Sequence, residues 1–180
     1  MISVQAQVDS TDYYYDISDY PSSYSANTVA ARMVDGLGFR YYWGSEGLSE
    51  SDLSYRPSEG ARNTLETLQH ILVLSQIISN TINEKPFAGM EVEGLSYQEI
   101  RNRTLENLKV ASETLQSAPE GIMEAYTIDF TEGNTFPFWN LINGPIADAI
   151  NHVGQIITFR RTNGNPIDQN ISVLRGSRRN

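Results

Sequence analysis

The chain has 180 residues, of which 39% are hydrophobic, and its 22 acidic and 13 basic residues give a formal net charge of −9. This length suffices for one domain that buries most of its apolar surface, and the acidic balance argues against a nucleic-acid partner, because a phosphate-binding surface needs clustered Lys and Arg. The absence of cysteine excludes disulfides, thiolate metal ligands and a cysteine nucleophile, and no apolar run of eighteen or more residues is present to span a membrane.

The first 26 residues are rich in Asp, Ser and Tyr and show no helical period. They predict an N-terminal arm over residues 1–26, laid along the domain by its tyrosines or partly disordered, followed by one domain over residues 27–180. Val4-Gln5-Ala6 ends like a signal-cleavage site, but no basic and apolar segments precede it. We expect a cytoplasmic protein, with an exported or periplasmic one as the alternative if the sequence begins inside a longer precursor.

Four segments with apolar residues at helical spacing follow the arm. They cover about residues 28–43, 64–82, 96–117 and 138–162. Asn63 with Glu66 fits a capping box at the start of the second helix, and Gly144-Pro145 predicts a kink in the last one. Residues 119–136 are predicted to form a long, extended crossover. The sequence therefore predicts an all-α fold in which four helices and one long connection form a bundle with its site between helices.

The two histidines of the chain are its most informative residues. His70 is predicted on the inner face of the second helix, and Asp148 and His152 lie one turn apart on one face of the last helix. A carboxylate and an imidazole so placed can hold one divalent cation, and a nitrogen from a neighbouring helix would complete a three-ligand site with open positions. A salt-bridged helix pair beside a hydrogen-bonded core histidine is the structural alternative.

Two stretches of sequence carry a family resemblance. In the first, Asn143 to Pro166, a potential ligand, Asp148, is followed after three residues by His-x-Gly-Gln, which begins at His152. A basic helix end and a Gly-containing turn come next. In the second, Tyr55-Arg56-Pro57-Ser58 through Leu68-Gln69-His70, a Pro-containing turn leads into a helix that carries a His. In order and spacing, over about residues 28–166, the chain resembles the DinB-like superfamily.

The resemblance implies a DinB-like four-helix bundle and a divalent metal held by His70, Asp148 and His152. The chain departs from the commonest family pattern at Asp148, where that pattern has His. Zinc or nickel is the expected metal, and iron or manganese is the alternative because two His and one carboxylate also suit those ions.

Characterised members of the family include S-transferases and isomerases that use low-molecular-weight thiols such as bacillithiol or mycothiol. The resemblance therefore implies a metal-dependent enzyme with a small-molecule substrate, of the thiol S-transferase or the hydrolase type. A non-catalytic metal-binding or structural, stress-associated bundle is the alternative, and the sequence leaves both a monomer and a homodimer open.

Four further residues are candidates for functional roles. Glu66 could act as a general base, or only as the acidic partner of the capping box. Gln155 could bind a ligand or the substrate, or be a buried polar residue satisfied within the bundle. Arg160 and Arg161 could bind an anionic substrate, or only complement the dipole at the helix end.

Overall fold

A computed structural model describes residues 12–131 and 133–179. Most of this part of the chain is helical, as predicted. The helices are α1 (Ala26–Ser45), α2 (Glu50–Ser54), α3 (Thr64–Ile82), α4 (Tyr97–Ser117), α5 (Phe138–Leu141) and α6 (Ala147–Thr162). Among the described residues, no helix is both long and apolar enough to cross a lipid bilayer.

Local hydrogen bonds at the helix starts explain why these segments begin where they do. Ser25, Ser49, Asn63 and Ser96 cap α1 to α4, each accepting a hydrogen bond from a backbone N–H inside its helix. At α3 the predicted capping box is confirmed, because Asn63 Oδ1 accepts from the Glu66 N–H at 2.8 Å and the Glu66 carboxylate accepts from the Asn63 N–H at 2.7 Å. Such caps satisfy backbone donors that the helix itself leaves without acceptors.

The long helices pack so that α1 and α3 each contact both α4 and α6. The core between them consists of fully buried aliphatic and aromatic side chains, which include Leu37, Tyr41, Leu68, Ile71, Leu72, Ile78, Leu105 and Leu108. The apolar residues of α3 leave it little polar surface, so it lies in the centre as its pattern predicted. This packing sets α3 beside α6, the adjacency that the two-helix site requires.

The crossover between α4 and α5 departs from an all-α chain. It contains one 3₁₀ turn and an antiparallel pair of strands, β1 (Thr127–Phe130) and β2 (Asn134–Pro137), with Thr127 opposite Pro137. Phe87, from the loop after α3, donates its N–H to the Asp129 carbonyl at 2.8 Å. The extended backbone is therefore hydrogen-bonded on both sides, which a single exposed strand would not be.

The last helical stretch is one path with an irregular turn in its middle. Between α5 and α6, residues Ile142–Ile146 form a π-helical turn that contains Pro145. Proline has no N–H for the helical ladder, and a wider turn accommodates its ring. The kink predicted at Gly144-Pro145 thus takes the form of a π turn.

Three residues of the N-terminal arm, Tyr13, Tyr14 and Ile17, pack with the hydrophobic core, whereas residues 18–24 are exposed. Residues 1–11 of the predicted arm are outside the described part. Tyr14 is fully buried, and Ile17 donates its N–H to the Gly176 carbonyl at 2.7 Å. Gly176 belongs to a second small hairpin, β3 (Ile171–Ser172) and β4 (Ser177–Arg178), which the sequence did not predict. The two ends of the described chain are therefore hydrogen-bonded to each other.

Candidate metal centre

Three potential metal ligands meet between α3 and α6. The His70 Nε2 lies 3.2 Å from Asp148 Oδ2, and the His152 Nε2 lies 3.3 Å from Asp148 Oδ1. The two imidazole rings stand nearly perpendicular with their centroids 4.7 Å apart. One ligand atom from each residue lies within 4.8 Å of the others, so the group could hold a metal ion. The structure thus brings together the three residues singled out from the sequence.

Two of these separations are close to what a tetrahedral cation needs. Ligands about 2.0–2.1 Å from a zinc ion lie roughly 3.3 Å from one another. The two nitrogen–oxygen distances of 3.2 and 3.3 Å are of that length, but they end on different oxygens of Asp148, and the three ligand atoms taken together lie within 4.8 Å of one another. The donor set of two imidazoles and one carboxylate also suits iron and manganese, so the geometry fits a divalent cation without selecting among them.

Gln155 orients the His152 ring. Its amide oxygen lies 2.9 Å from His152 Nδ1, one turn further along α6. With Nδ1–H donating to that oxygen, the Nε2 of the neutral ring carries a lone pair that faces the Asp148 carboxylate. Two acceptors at this distance repel each other unless a proton or a cation lies between them. Gln155 is therefore placed to present His152 as a ligand.

The protonation of His70 also suits coordination. Burial lowers the pKa of its imidazole below the ordinary value of 6.5, and the nearby Arg62 charge acts in the same direction, against the opposing hydrogen bond to Asp148. His70 is therefore neutral at pH 7. Its Nε2 can then bind a cation without first losing a proton.

The site is open on one side. The His70 side chain is 26% exposed and that of Asp148 is 43% exposed, whereas His152 is nearly buried. His70 also lines a surface depression of about 490 Å³. Its other lining residues are Arg56, Gly60, Ala61, Arg62, Glu66, Gln69, Val73 and Val92. A small molecule can therefore approach the imidazole from solvent.

Glu66 lines the same depression, but its carboxylate is already engaged. It accepts hydrogen bonds from the Asn63 N–H and from the Arg56 guanidinium, the latter at 3.1 and 3.2 Å. The Asn63 hydrogen bond, aided by Arg56, lowers the pKa of Glu66. These contacts correspond to the capping-box role rather than to that of a general base, which needs a higher pKa.

Arg160 does not lie at the site. It is nearly buried, and all three nitrogens of its guanidinium donate to the protein. The acceptors are Trp43, Gly44, Glu46 and Asn165. Arg161 is exposed one residue further on, about 13.5 Å beyond His152 along the axis at 1.5 Å per residue. The predicted substrate contact of Arg160 is therefore corrected to a structural one, and neither arginine joins the three ligands.

Arg56 and Arg62 were not predicted as residues of the site. Both flank the Pro57–Gly60 turn that leads into α3, and only the folding of this turn onto the helix brings them near His70. Two arginines immediately before a helix with a potential ligand are the signal that could have found them.

Comparison of the chain with protein-family models, with curated proteins and with solved structures found no match. The proposed function therefore rests on the geometry of the site and on the chemistry of its residues.

Proposed function

We propose that the chain is a divalent-metal-dependent enzyme of the DinB-like superfamily, a four-helix bundle that holds zinc or nickel through His70, Asp148 and His152. The observation that carries this proposal is the convergence of two imidazole nitrogens on one carboxylate, beside an open depression. A purely structural polar cluster has no need of an approach from solvent. An enzyme does, because its substrate must reach the metal.

The thiol S-transferase type is proposed in preference to the hydrolase type. A metal in this site supplies Lewis acidity, which lowers the pKa of a thiol or a water molecule. The chain contains no cysteine, so the thiol must come from a low-molecular-weight cofactor. Hydrolysis calls for a general base beside the metal, and the carboxylate of Glu66 is held by Asn63 and Arg56.

Each residue of the proposed site would have its own role in binding the metal. His70 and His152 bind the cation as neutral donors, and Asp148 supplies the one negative charge among the ligands. Gln155 keeps the His152 ring in the tautomer that coordinates. The exposed side of Asp148 and His70 leaves room for the thiol and its electrophilic partner.

Titration of metal-free protein with Zn²⁺ or Ni²⁺, in competition with a chromophoric chelator, is expected to show one tight site. Because His70 must be neutral to coordinate, the affinity should be steady above the ordinary pKa of 6.5 and should fall as the pH drops below 6.5 through the lowered pKa of this imidazole. Conjugation of a low-molecular-weight thiol to 1-chloro-2,4-dinitrobenzene should then require the metal.

The three possible failures of this experiment have different meanings. Absence of metal binding would leave the three residues as a hydrogen-bonded cluster. Metal binding without acceleration of any thiol or ester substrate would favour the non-catalytic metal-binding bundle. Metal-dependent ester hydrolysis without thiol conjugation would favour the hydrolase type.

Gln155→Leu tests the orientation of His152. Removal of the amide oxygen frees the ring to adopt the other tautomer, and such outer-shell changes cost about 10- to 100-fold in metal affinity. Gln155→Glu keeps an acceptor oxygen and is the matched control, which should bind metal at least as well as the wild type. Equal affinities of Gln155→Leu and the wild type, measured by the same competition titration, would contradict this role.

A further inference from the structure

We infer that the depression beside His70 binds anions through Arg62. We infer further that the molecule acted on at the metal centre is a small anion that carries a carboxylate or phosphate group and a short apolar part. The assignment of this molecule as the substrate rests on the proposed function. The anion-binding pocket itself does not, because it is formed by residues that are not metal ligands.

The charges around the depression are opposite to those of the whole chain. The chain carries a net charge of −9, yet two of the nine residues that line the depression are arginines and only one is acidic. That acid, Glu66, forms an ion pair with Arg56 at 3.1 Å. No carboxylate of the described residues lies within ion-pair distance of Arg62, so one positive charge remains for a ligand.

The backbone that carries Arg62 is held in place. The Arg56 guanidinium donates to the Ala61 carbonyl and to the Glu66 carboxylate. Glu66 and Asn63 exchange hydrogen bonds across the first turn of α3. Arg62 lies between these fixed points, and its exposed side chain lines the depression. A guanidinium suits both carboxylate and phosphate, because it can donate two parallel hydrogen bonds.

Arg62 and His70 line the same depression. A ligand that occupies the depression can therefore contact both side chains. With a divalent cation bound, one carboxylate ligand leaves the centre positive, and an anion between the two would be attracted from both sides.

The other wall of the depression is apolar. Val73, on α3, and Val92, in the loop before α4, line it. Gln69 donates from its side-chain amide to the Val92 carbonyl at 3.3 Å, which holds this loop against α3. A ligand with its anionic group at Arg62 would therefore contact Val73 and Val92 with its apolar part.

The experiment is an NMR titration of the zinc-loaded, ¹⁵N-labelled protein with hexanoate, with butyl phosphate and with butylamine. Hexanoate and butyl phosphate should both shift the amide resonances of residues 60–73, whereas butylamine should not. The affinities of the two anions show whether the pocket prefers a carboxylate or a phosphate. Arg62→Gln should weaken anion binding by about threefold to tenfold, the range for an ion pair that is partly exposed to solvent. Arg161→Gln is the matched control, an exposed arginine of the same net-charge effect, and should bind like the wild type.

The same titration on metal-free protein separates the two proposals. Anion binding that depends on Arg62 without any zinc binding would overturn the metal enzyme and retain the pocket. Zinc binding with equal anion affinities in Arg62→Gln and wild type would overturn the pocket alone. Two other results would also overturn the pocket. One is anion-induced shifts that are confined to residues outside 60–73 and 92. The other is a loss of anion affinity in Arg161→Gln that equals the loss in Arg62→Gln.

Discussion

Asp148→Ala is expected to lower the affinity for a divalent cation by about 100-fold or more, a larger loss than outer-shell changes cause. The substitution removes the only anionic ligand and leaves the two imidazoles of His70 and His152 to hold a doubly charged ion. The charge of the ion would then lie uncompensated in a pocket that is only partly hydrated. Competition titration and metal analysis of the purified variant measure the loss.

The fold should survive this substitution. The Asp148 side chain is 43% exposed and, among the described residues, forms ion pairs only with the two imidazoles, so the unfolding free energy of the metal-free protein should change by less than about 1 kcal/mol. Glu124→Ala, which removes an exposed carboxylate far along the chain, controls for net charge. Unchanged metal content in Asp148→Ala would exclude Asp148 as a ligand, and the three residues would then be only a hydrogen-bonded cluster.

Gly38→Ala is expected to destabilise the protein by about 3 kcal/mol, the cost of losing a large buried aromatic side chain from a core. A Cβ atom at position 38 would lie 2.4–2.6 Å from three ring carbons of Tyr14. Tyr14 is fully buried, so its ring cannot shift without leaving the core. The arm would then detach from α1, and urea denaturation would report the lost stability.

Two controls accompany this measurement. Gly154→Ala, on the exposed side of α6 with no heavy atom within 4 Å of the added Cβ, should stabilise the helix by about 0.5–1 kcal/mol. In a Tyr14→Ala background, Gly38→Ala should cost little, because the clash is gone and the two losses are not additive. A Gly38→Ala variant as stable as the wild type would contradict the docking of Tyr14 on α1.

Local signals account for the helices that the sequence predicted. The bounds of α3 follow from the capping box of Asn63 and Glu66 and from an unbroken apolar pattern, both readable within twenty residues. The two small hairpins have no such signal. Phe87 supports β1 and Ile17 supports the second hairpin, so these strands depend on residues that are distant in sequence.

The same difference between local signals and long-range contacts explains which residues of the candidate site could be predicted. Helical spacing predicted that Asp148 and His152 share a face, and the position of His70 on α3 predicted that it points inward. The role of Arg160 was not predictable, because three of its four carbonyl acceptors lie more than a hundred residues earlier in the chain, at the end of α1 and just after it. Arg62 was missed because its place beside His70 depends on how the turn before α3 folds.

The π turn at Ile142–Ile146 determines the direction in which α6 presents Asp148 and His152, two of the potential ligands. A π turn contains one residue more than an α turn, and each residue of an α-helix advances the face by about 100°. Deleting Pro145 would remove both the extra residue and the proline and leave a regular helix, but Asp148 and His152 would be rotated by about 100° relative to His70. Among homologous sequences, a one-residue gap at this turn should therefore mark proteins that kept the helices and gave up the metal centre.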